Sequence, residues 1–336
     1  MRAAIYGAGA MGTVLGAFLA RAGKRIDLVS RNVEHVNALK TSGAHVVGKI
    51  DFIQPVSALL PEEMQGEYDL VFLMTKQSEN EQIVDFLRNH LSKNGVICTM
   101  QNGLPEPKIA ERIGRDNTYG CATVWGATFI GCGKSELTSS PDALTFSLGC
   151  YGEADERLYT IKEYLECMGE VTVLQNLIGA RWSKLAVNSA FSGVSTLTGM
   201  TFGEVAKHKT GKRVALEILS ECRRVAEKSG IKTEKIQGHD VVKLLGCKSP
   251  LKKPFSLCLL PVAMKNHSSL VSGMYTALKN GRKCEIDYID GVVSEYGRNC
   301  GERTPVCDLV CKLVHEIEDG KRQITIDNLS EFSEWI

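Results

Sequence analysis

The chain has 336 residues, more than one hydrophobic core usually fills, so two domains are expected. Lys and Arg total 40 against 39 Asp and Glu, a net charge of +1 that gives no global field for nucleic acid or an acidic membrane. No stretch reaches the roughly 18 uninterrupted apolar residues of a membrane span, and the N-terminus carries turn glycines where a signal peptide needs a continuous apolar run; a soluble, cytoplasmic protein is expected.

The opening residues read as strand, turn, helix and strand. AAIYG is a short β-rich apolar run, GAGAMG a turn, and TVLGAFLARAG has helical spacing through Val14, Leu15, Phe18 and Leu19, with Gly23 as a C-cap. KRIDLVSR then alternates as a second strand. This βαβ setting turns the glycine spacing into a dinucleotide-binding fingerprint: Gly7 for the tight turn, Gly9 for close approach of a pyrophosphate, Gly12 for helix–strand packing. The backbone of Gly7, Ala8, Gly9, Ala10, Met11 and Gly12 is the expected phosphate cradle, at a helix N-terminus that favours anions.

The end of the second strand speaks to the choice of dinucleotide. An NAD site places Asp or Glu there for the ribose 2′-OH, whereas this chain has Ser30 and Arg31, a hydroxyl and a guanidinium suited to a 2′-phosphate. NADP(H) is therefore the expected cofactor. Asp27 lies inside the strand, too early for the ribose role. YDLVFLMTK and GVICTMQNG read as buried parallel strands, with the amphipathic helix NEQIVDFLRNHL between them. Their ends, Thr75-Lys76 and Gln101-Asn102-Gly103, are read as delivering polar groups to the mouth of the sheet.

After EVTVLQN the helical period takes over, giving an N-terminal Rossmann doubly wound sheet (residues 1–175) followed by an all-helical domain (176–336). In ARWSKLAVNSAFSGVSTLTG, read as one helix, Leu185, Ala186, Val187, Ala190, Phe191, Val194 and Leu197 are apolar. Lys184, Asn188, Ser192 and Ser195 form a narrow polar stripe, either a solvent face or groups aimed into a cleft. KSPLKKPFSL reads as a loop whose prolines break any helix, and the tail from Gly320 as loosely attached. The 12 cysteines include no C-x-x-C pair, which argues against a metal site and for buried free thiols in a reducing compartment.

GAGAMG, Arg31, VFLMTKQ, TMQNG, RWSKLAVNSA and CEIDYIDG, in this order and at these separations, resemble the ketopantoate reductase (2-dehydropantoate 2-reductase) family from about residue 1 to 315. The pairing of W-x-K-L-x-x-N with E-I-D-Y-I-x-G is more particular than the glycine turn. The resemblance implies NADPH-dependent reduction of 2-dehydropantoate on the route to pantothenate, with Lys184 as general acid. It also implies substrate contacts from Asn102, Lys184, Asn188 and Ser192, and cofactor contacts from the glycine turn, Arg31, Lys76, Asn102 and Glu285.

Two departures touch substrate recognition. Family members commonly carry Asn where this chain has Ser192, and Ser where it has Gly273, so Ser272 is the expected substitute. A same-fold reductase acting on another 2-keto or 3-hydroxy acid, and a non-catalytic NADP-binding sensor, are the alternatives. The expected partner is a small 2-keto acid, without nucleic acid or membrane, and the expected state a monomer or homodimer.

Overall fold

The computed structural model describes residues 1–236, 238–247 and 250–336, leaving out the side chain of Pro250. The chain forms two compact units, Met1–Gln101 with Pro105–Leu177, and Asn102–Leu104 with Ile178–Ile336.

The first unit runs β1 (Ala3–Tyr6), α1 (Ala10–Arg21), β2 (Ile26–Val29), α2 (Val33–Ser42), β3 (Ala44–Gly48), β4 (Phe52–Gln54), β5 (Ser57–Leu59), β6 (Tyr68–Leu73), α3 (Asn80–Arg88), β7 (Leu91–Thr99), α4 (Glu106–Ile113), β8 (Thr118–Thr123), β9 (Ala127–Gly131), β10 (Lys134–Leu137), β11 (Thr145–Cys150), α5 (Glu156–Leu165) and β12 (Glu170–Val173). Eight strands form one sheet in the order β12-β11-β8-β7-β6-β1-β2-β5. β1 pairs in parallel with β2 and with β6, so the strand order reverses beside it. Alternate strand residues enter two cores. Ile5, Leu28, Phe72 and Cys98 face one, Tyr6, Val29, Leu73 and Ile97 the other, which is why these strands read as continuous apolar runs.

A second sheet, β4-β3-β10-β9, is a feature the apolar patterning did not disclose. Its strands are three to five residues long, and β9 exposes Thr128, Phe129 and Ile130 rather than alternating.

The second unit contains all but the first residue of α6 (Leu177–Asn188), a π-helical turn Ser189–Gly193, α7 (Val194–Thr198), α8 (Phe202–Lys207), α9 (Gly211–Lys228), α10 (Val241–Leu245), α11 (Lys253–Ala263), α12 (Gly273–Lys279), α13 (Asp290–Cys300) and α14 (Pro305–Glu318). The N-terminal sheet and C-terminal helices make the fold a Rossmann doubly wound sheet followed by a helical part.

Three expectations are corrected. The segment read as a loop starts α11, because Pro254 sits in the first turn, where a missing N–H costs nothing; residues 248 and 249 of that segment lie outside the described residues. The tail is anchored: Leu329 and Phe332 are buried in the helical core and the Asn328 amide donates to the Leu197 carbonyl at 2.9 Å. Of the cysteines, all free, Cys132 and Cys258 are exposed rather than buried. No helix among the described residues is long and apolar enough to cross a membrane.

Candidate functional site

The turn between β1 and α1 is shaped by what its glycines lack. Gly7 has φ +105°, and a Cβ there would stand 2.6 Å from the Thr75 nitrogen; a Cβ on Gly12 would stand 2.5 Å from the Gly7 carbonyl oxygen. Gly9 differs, since a Cβ on it would meet nothing within 4 Å. Gly9 also offers no capping side chain, and the first turn of α1 carries no acidic residue, so this helix end keeps its affinity for anions.

Beside the turn lies a cavity of about 340 Å³ lined by residues of the first unit, among them Tyr6, Gly7, Gly9, Ser30, Arg31, Lys76, Ser78 and Glu79. It opens at the carboxyl ends of β1, β2 and β6, where doubly wound sheets place their ligands. Arg31 meets Glu79 across it, Nη1 to Oε2 at 2.5 Å. At its wall, burial pushes the Tyr6 phenol up; Arg31 pulls it down, and Glu79 and Glu62 push it up again. Ser30 Oγ accepts from the Asn32 N–H at 3.2 Å, and Asn32 in turn caps α2. The Asp27 carboxylate is engaged by Ser57 Oγ at 2.7 Å, Tyr68 Oη at 2.8 Å and Arg2 Nη2 at 3.2 Å.

Gln101, placed by its strand-end position at the mouth of the sheet, instead turns inward, 5% exposed. Its Nε2 donates to the Thr75 carbonyl at 2.9 Å and Asn80 Oδ1 at 2.7 Å, while its Oε1 accepts from Asn80 Nδ2 and Thr99 Oγ1, each at 3.0 Å. An amide buried in a strand end satisfies itself on neighbouring backbone and side chains. The result ties the ends of β6 and β7 to the start of α3 and leaves Asn102, which is exposed, as the polar residue that faces outward.

A further support carries no sequence signal. His35, 1% exposed, accepts the Gly133 N–H at Nδ1 (2.9 Å), so its neutral ring carries the proton on Nε2 and donates to Thr13 Oγ1 (3.1 Å), which donates to the Ala8 carbonyl at 3.3 Å. Burial holds this imidazole below its ordinary pKa, keeping the ring neutral. A lone His in a helix is uninformative by itself; its partner Gly133 is 98 residues away.

In the second unit, α6 is fixed in rotation by its apolar side. Trp182 is fully buried with Nε1 donating to the Cys222 carbonyl at 3.0 Å, and Ser183 Oγ donates to the Glu234 carbonyl at 2.8 Å. Lys184 and Asn188, both half-buried, lie one turn apart on another side. The π turn at Ser189–Gly193 then breaks the stripe read from spacing. An inserted residue rotates the helix beyond it, so Ser195 is buried, its Oγ donating to the Met200 carbonyl at 2.6 Å, while Ser192 stays half-buried.

Ser272 is also turned in, at 1% exposure. It caps α12 by accepting from the Met274 N–H, receives the Thr196 hydroxyl at 3.0 Å, and donates its own N–H to Ser195. Its hydroxyl is thus committed to the protein, and it is Gly273 beside it that is exposed. Glu285, half-buried, directly precedes a 3-10 turn, Ile286–Tyr288.

A family model described as ketopantoate reductase PanE/ApbA matches residues 3–149, and the model of that family's C-terminal domain matches residues 176–318. The chain belongs to the ketopantoate reductase family. Curated relatives include a 2-dehydropantoate 2-reductase of Streptococcus pyogenes serotype M3, 26% identical with 94% of this chain and 97% of that one covered. One from Pyrococcus abyssi is 28% identical, covering 96% and 100%. Among solved structures, a ternary complex of D-mandelate dehydrogenase with NADH and anilino(oxo)acetate is 25% identical, with a TM-score of 0.81 over 96% of this chain and 99% of that one. A ketopantoate reductase from Ralstonia eutropha, at 22% identity, shares the fold with a TM-score of 0.80 over 96% and 100%. Reduction of ketopantoate is the function for which this family is named, and its members are oxidoreductases.

Proposed function

We propose that this chain catalyses the NADPH-dependent reduction of 2-dehydropantoate to pantoate, with Lys184 as general acid. The observation that supports this best is the joint presence, in a member of the ketopantoate reductase family, of an uncapped glycine turn beside a cavity lined by Arg31 and Lys76 and of Lys184 and Asn188, half-buried and one turn apart on α6.

The bound nicotinamide supplies the hydride. The rest falls to side chains and backbone of this chain. The N–H groups from Gly7 to Gly12 hold the pyrophosphate, Arg31 and Lys76 the 2′-phosphate, and Asn102 and Glu285 the nicotinamide half. Negative charge grows on the carbonyl oxygen during reduction. The Lys184 ammonium stabilises it by hydrogen bonding and finally protonates it. Asn188 and Ser192 bind the hydroxyl or carboxylate of the substrate. Ser192 is shorter than the Asn common in the family, so a water completes its reach. With Ser272 committed to its cap, the exposed Gly273 backbone serves the carboxylate in its place.

A second reading keeps the chemistry and changes substrate and cofactor. It is favoured by the likeness to D-mandelate dehydrogenase, whose structure holds NADH and a 2-oxo acid derivative. A panel of 2-keto acids assayed with NADPH and with NADH separates the two. The expected result is the highest kcat/KM for 2-dehydropantoate with NADPH; a higher value for an aromatic 2-keto acid would favour the second reading.

The glycine turn gives a sharper expectation. Gly9→Ala adds a methyl into open space, so the melting temperature should match that of the parent, while the dissociation constant for NADPH rises at least about tenfold because the methyl stands where the pyrophosphate must approach. Fluorescence titration and a thermal melt on the same sample check both halves.

A further inference from the structure

The end of β2 holds no carboxylate, and a different segment brings one to the same cavity. Glu79 closes the 3-10 turn Gln77–Glu79 that follows β6, lines the cavity with Ser30 and Arg31, and pairs with Arg31 at 2.5 Å. Its placement is firm. Gln77 two residues before it and Asn80 directly after it are buried, at 4% and 7% exposure, and the Asn80 amide is clamped to Gln101 by two hydrogen bonds of 2.7 and 3.0 Å. The two partners themselves remain accessible, the Arg31 side chain 65% exposed and that of Glu79 42%. An ion pair so open to water is weak and easily exchanged for a ligand.

We propose that Glu79 is a specificity-determining residue: at the 2′ end of the cavity its carboxylate accepts a hydrogen bond from the ribose 2′-hydroxyl of NAD(H) and repels the 2′-phosphate of NADP(H), moderating the preference that Arg31 creates. This rests on the reading of the cavity as a dinucleotide site. A 2′-phosphate draws the Arg31 guanidinium to itself, which strips Glu79 of its counter-charge and leaves a carboxylate beside a dianion. A 2′-hydroxyl asks for an acceptor instead, the service that Asp or Glu at the end of the second strand performs in NAD sites. Glu79 supplies it from the neighbouring β6 turn, with the Arg31–Glu79 pair left intact.

The test measures binding, not turnover, with 2′,5′-ADP and 5′-ADP as probes on the full chain. Glu79→Gln keeps size and acceptor but loses the charge. It should tighten 2′,5′-ADP about tenfold and change 5′-ADP less than about threefold, an effect on the scale of one removed like charge in a partly solvated site. Glu79→Ala should move the ratio in the same direction and weaken 5′-ADP. A ratio that stays within about twofold of the parent in both variants overturns the proposal. Arg31→Ala identifies a failure of the other kind. If it leaves 2′,5′-ADP binding unchanged, or neither probe binds the parent, the dinucleotide reading of the cavity falls and the proposal with it.

Discussion

Replacing Lys184 with alanine is expected to lower kcat by at least about a hundredfold, while the dissociation constant for NADPH changes less than about threefold. The asymmetry arises from where the residues are. The cavity assigned to the cofactor is lined by the first unit, whereas Lys184 belongs to α6 of the second. The variant should fold, since α6 is held by the buried Trp182 and by the Ser183–Glu234 hydrogen bonds, and alanine is a strong helix former. Lys184→Arg should recover little of the loss, because a guanidinium stays protonated and can stabilise the alkoxide without surrendering a proton to it. Stopped-flow measurement of a single turnover separates this from slow product release. Unchanged turnover in Lys184→Ala would remove the residue from the mechanism, whereas no turnover in the parent itself would bring a binding or sensing role for the chain to the front.

The second large effect concerns stability. Asp290 begins α13 fully buried, and neither of its carboxyl oxygens has a hydrogen-bond partner among the described residues; the nearest neighbour on the π turn is Gly193, where a Cβ would stand 3.0 Å from Oδ2. Burial, with a smaller contribution from Glu221, raises its pKa well above the ordinary carboxylate range. Glu221 is itself pushed up to about 7 by burial, against the pull of the N–H groups of Val306 and Cys307, each at 2.9 Å, and of Arg224. Asp290 in turn raises the thiols of buried Cys307 and half-buried Cys311, in both of which burial is the larger cause. A carboxyl raised on folding binds its proton more tightly in the native state. Its stabilising effect is full below the unfolded pKa of about 4 and is lost as pH rises toward the folded value.

Asp290→Asn replaces the neutral acid with a neutral isostere and deletes that loss. Parent and variant should therefore have similar unfolding free energies near about pH 4 and diverge as pH rises, the variant becoming more stable by about 1–3 kcal/mol on the alkaline side. Urea melts across a pH series check this. A variant that becomes progressively less stable than the parent as pH rises would show instead that the charged carboxylate is an asset.

How much of the fold and site is legible in the sequence depends on the range of the interaction that decides each feature. The β1–α1–β2 unit can be read because strand period, glycine spacing and helix period all lie within about thirty residues, and W-x-K-L-x-x-N marks α6 in the same local way. What local pattern misses is what distance decides. Gln101 looks like a residue at a strand mouth until Asn80, across the β6–β7 pair, claims its amide. Ser272 and Ser195 look available until each becomes the other's partner, 77 residues apart. The π turn shifts the polar stripe of a helix whose spacing reads as uniform. Glu79 carries no motif at all; its interest comes from meeting Arg31 across 48 residues of chain.

The most direct test of hydride chemistry on a 2-keto acid is to add 2-dehydropantoate to the enzyme with NADPH and follow nicotinamide absorbance together with product mass. Equimolar loss of NADPH and appearance of pantoate is the predicted result. NADPH that binds but is never oxidised, by this or any other 2-keto acid, would contradict it.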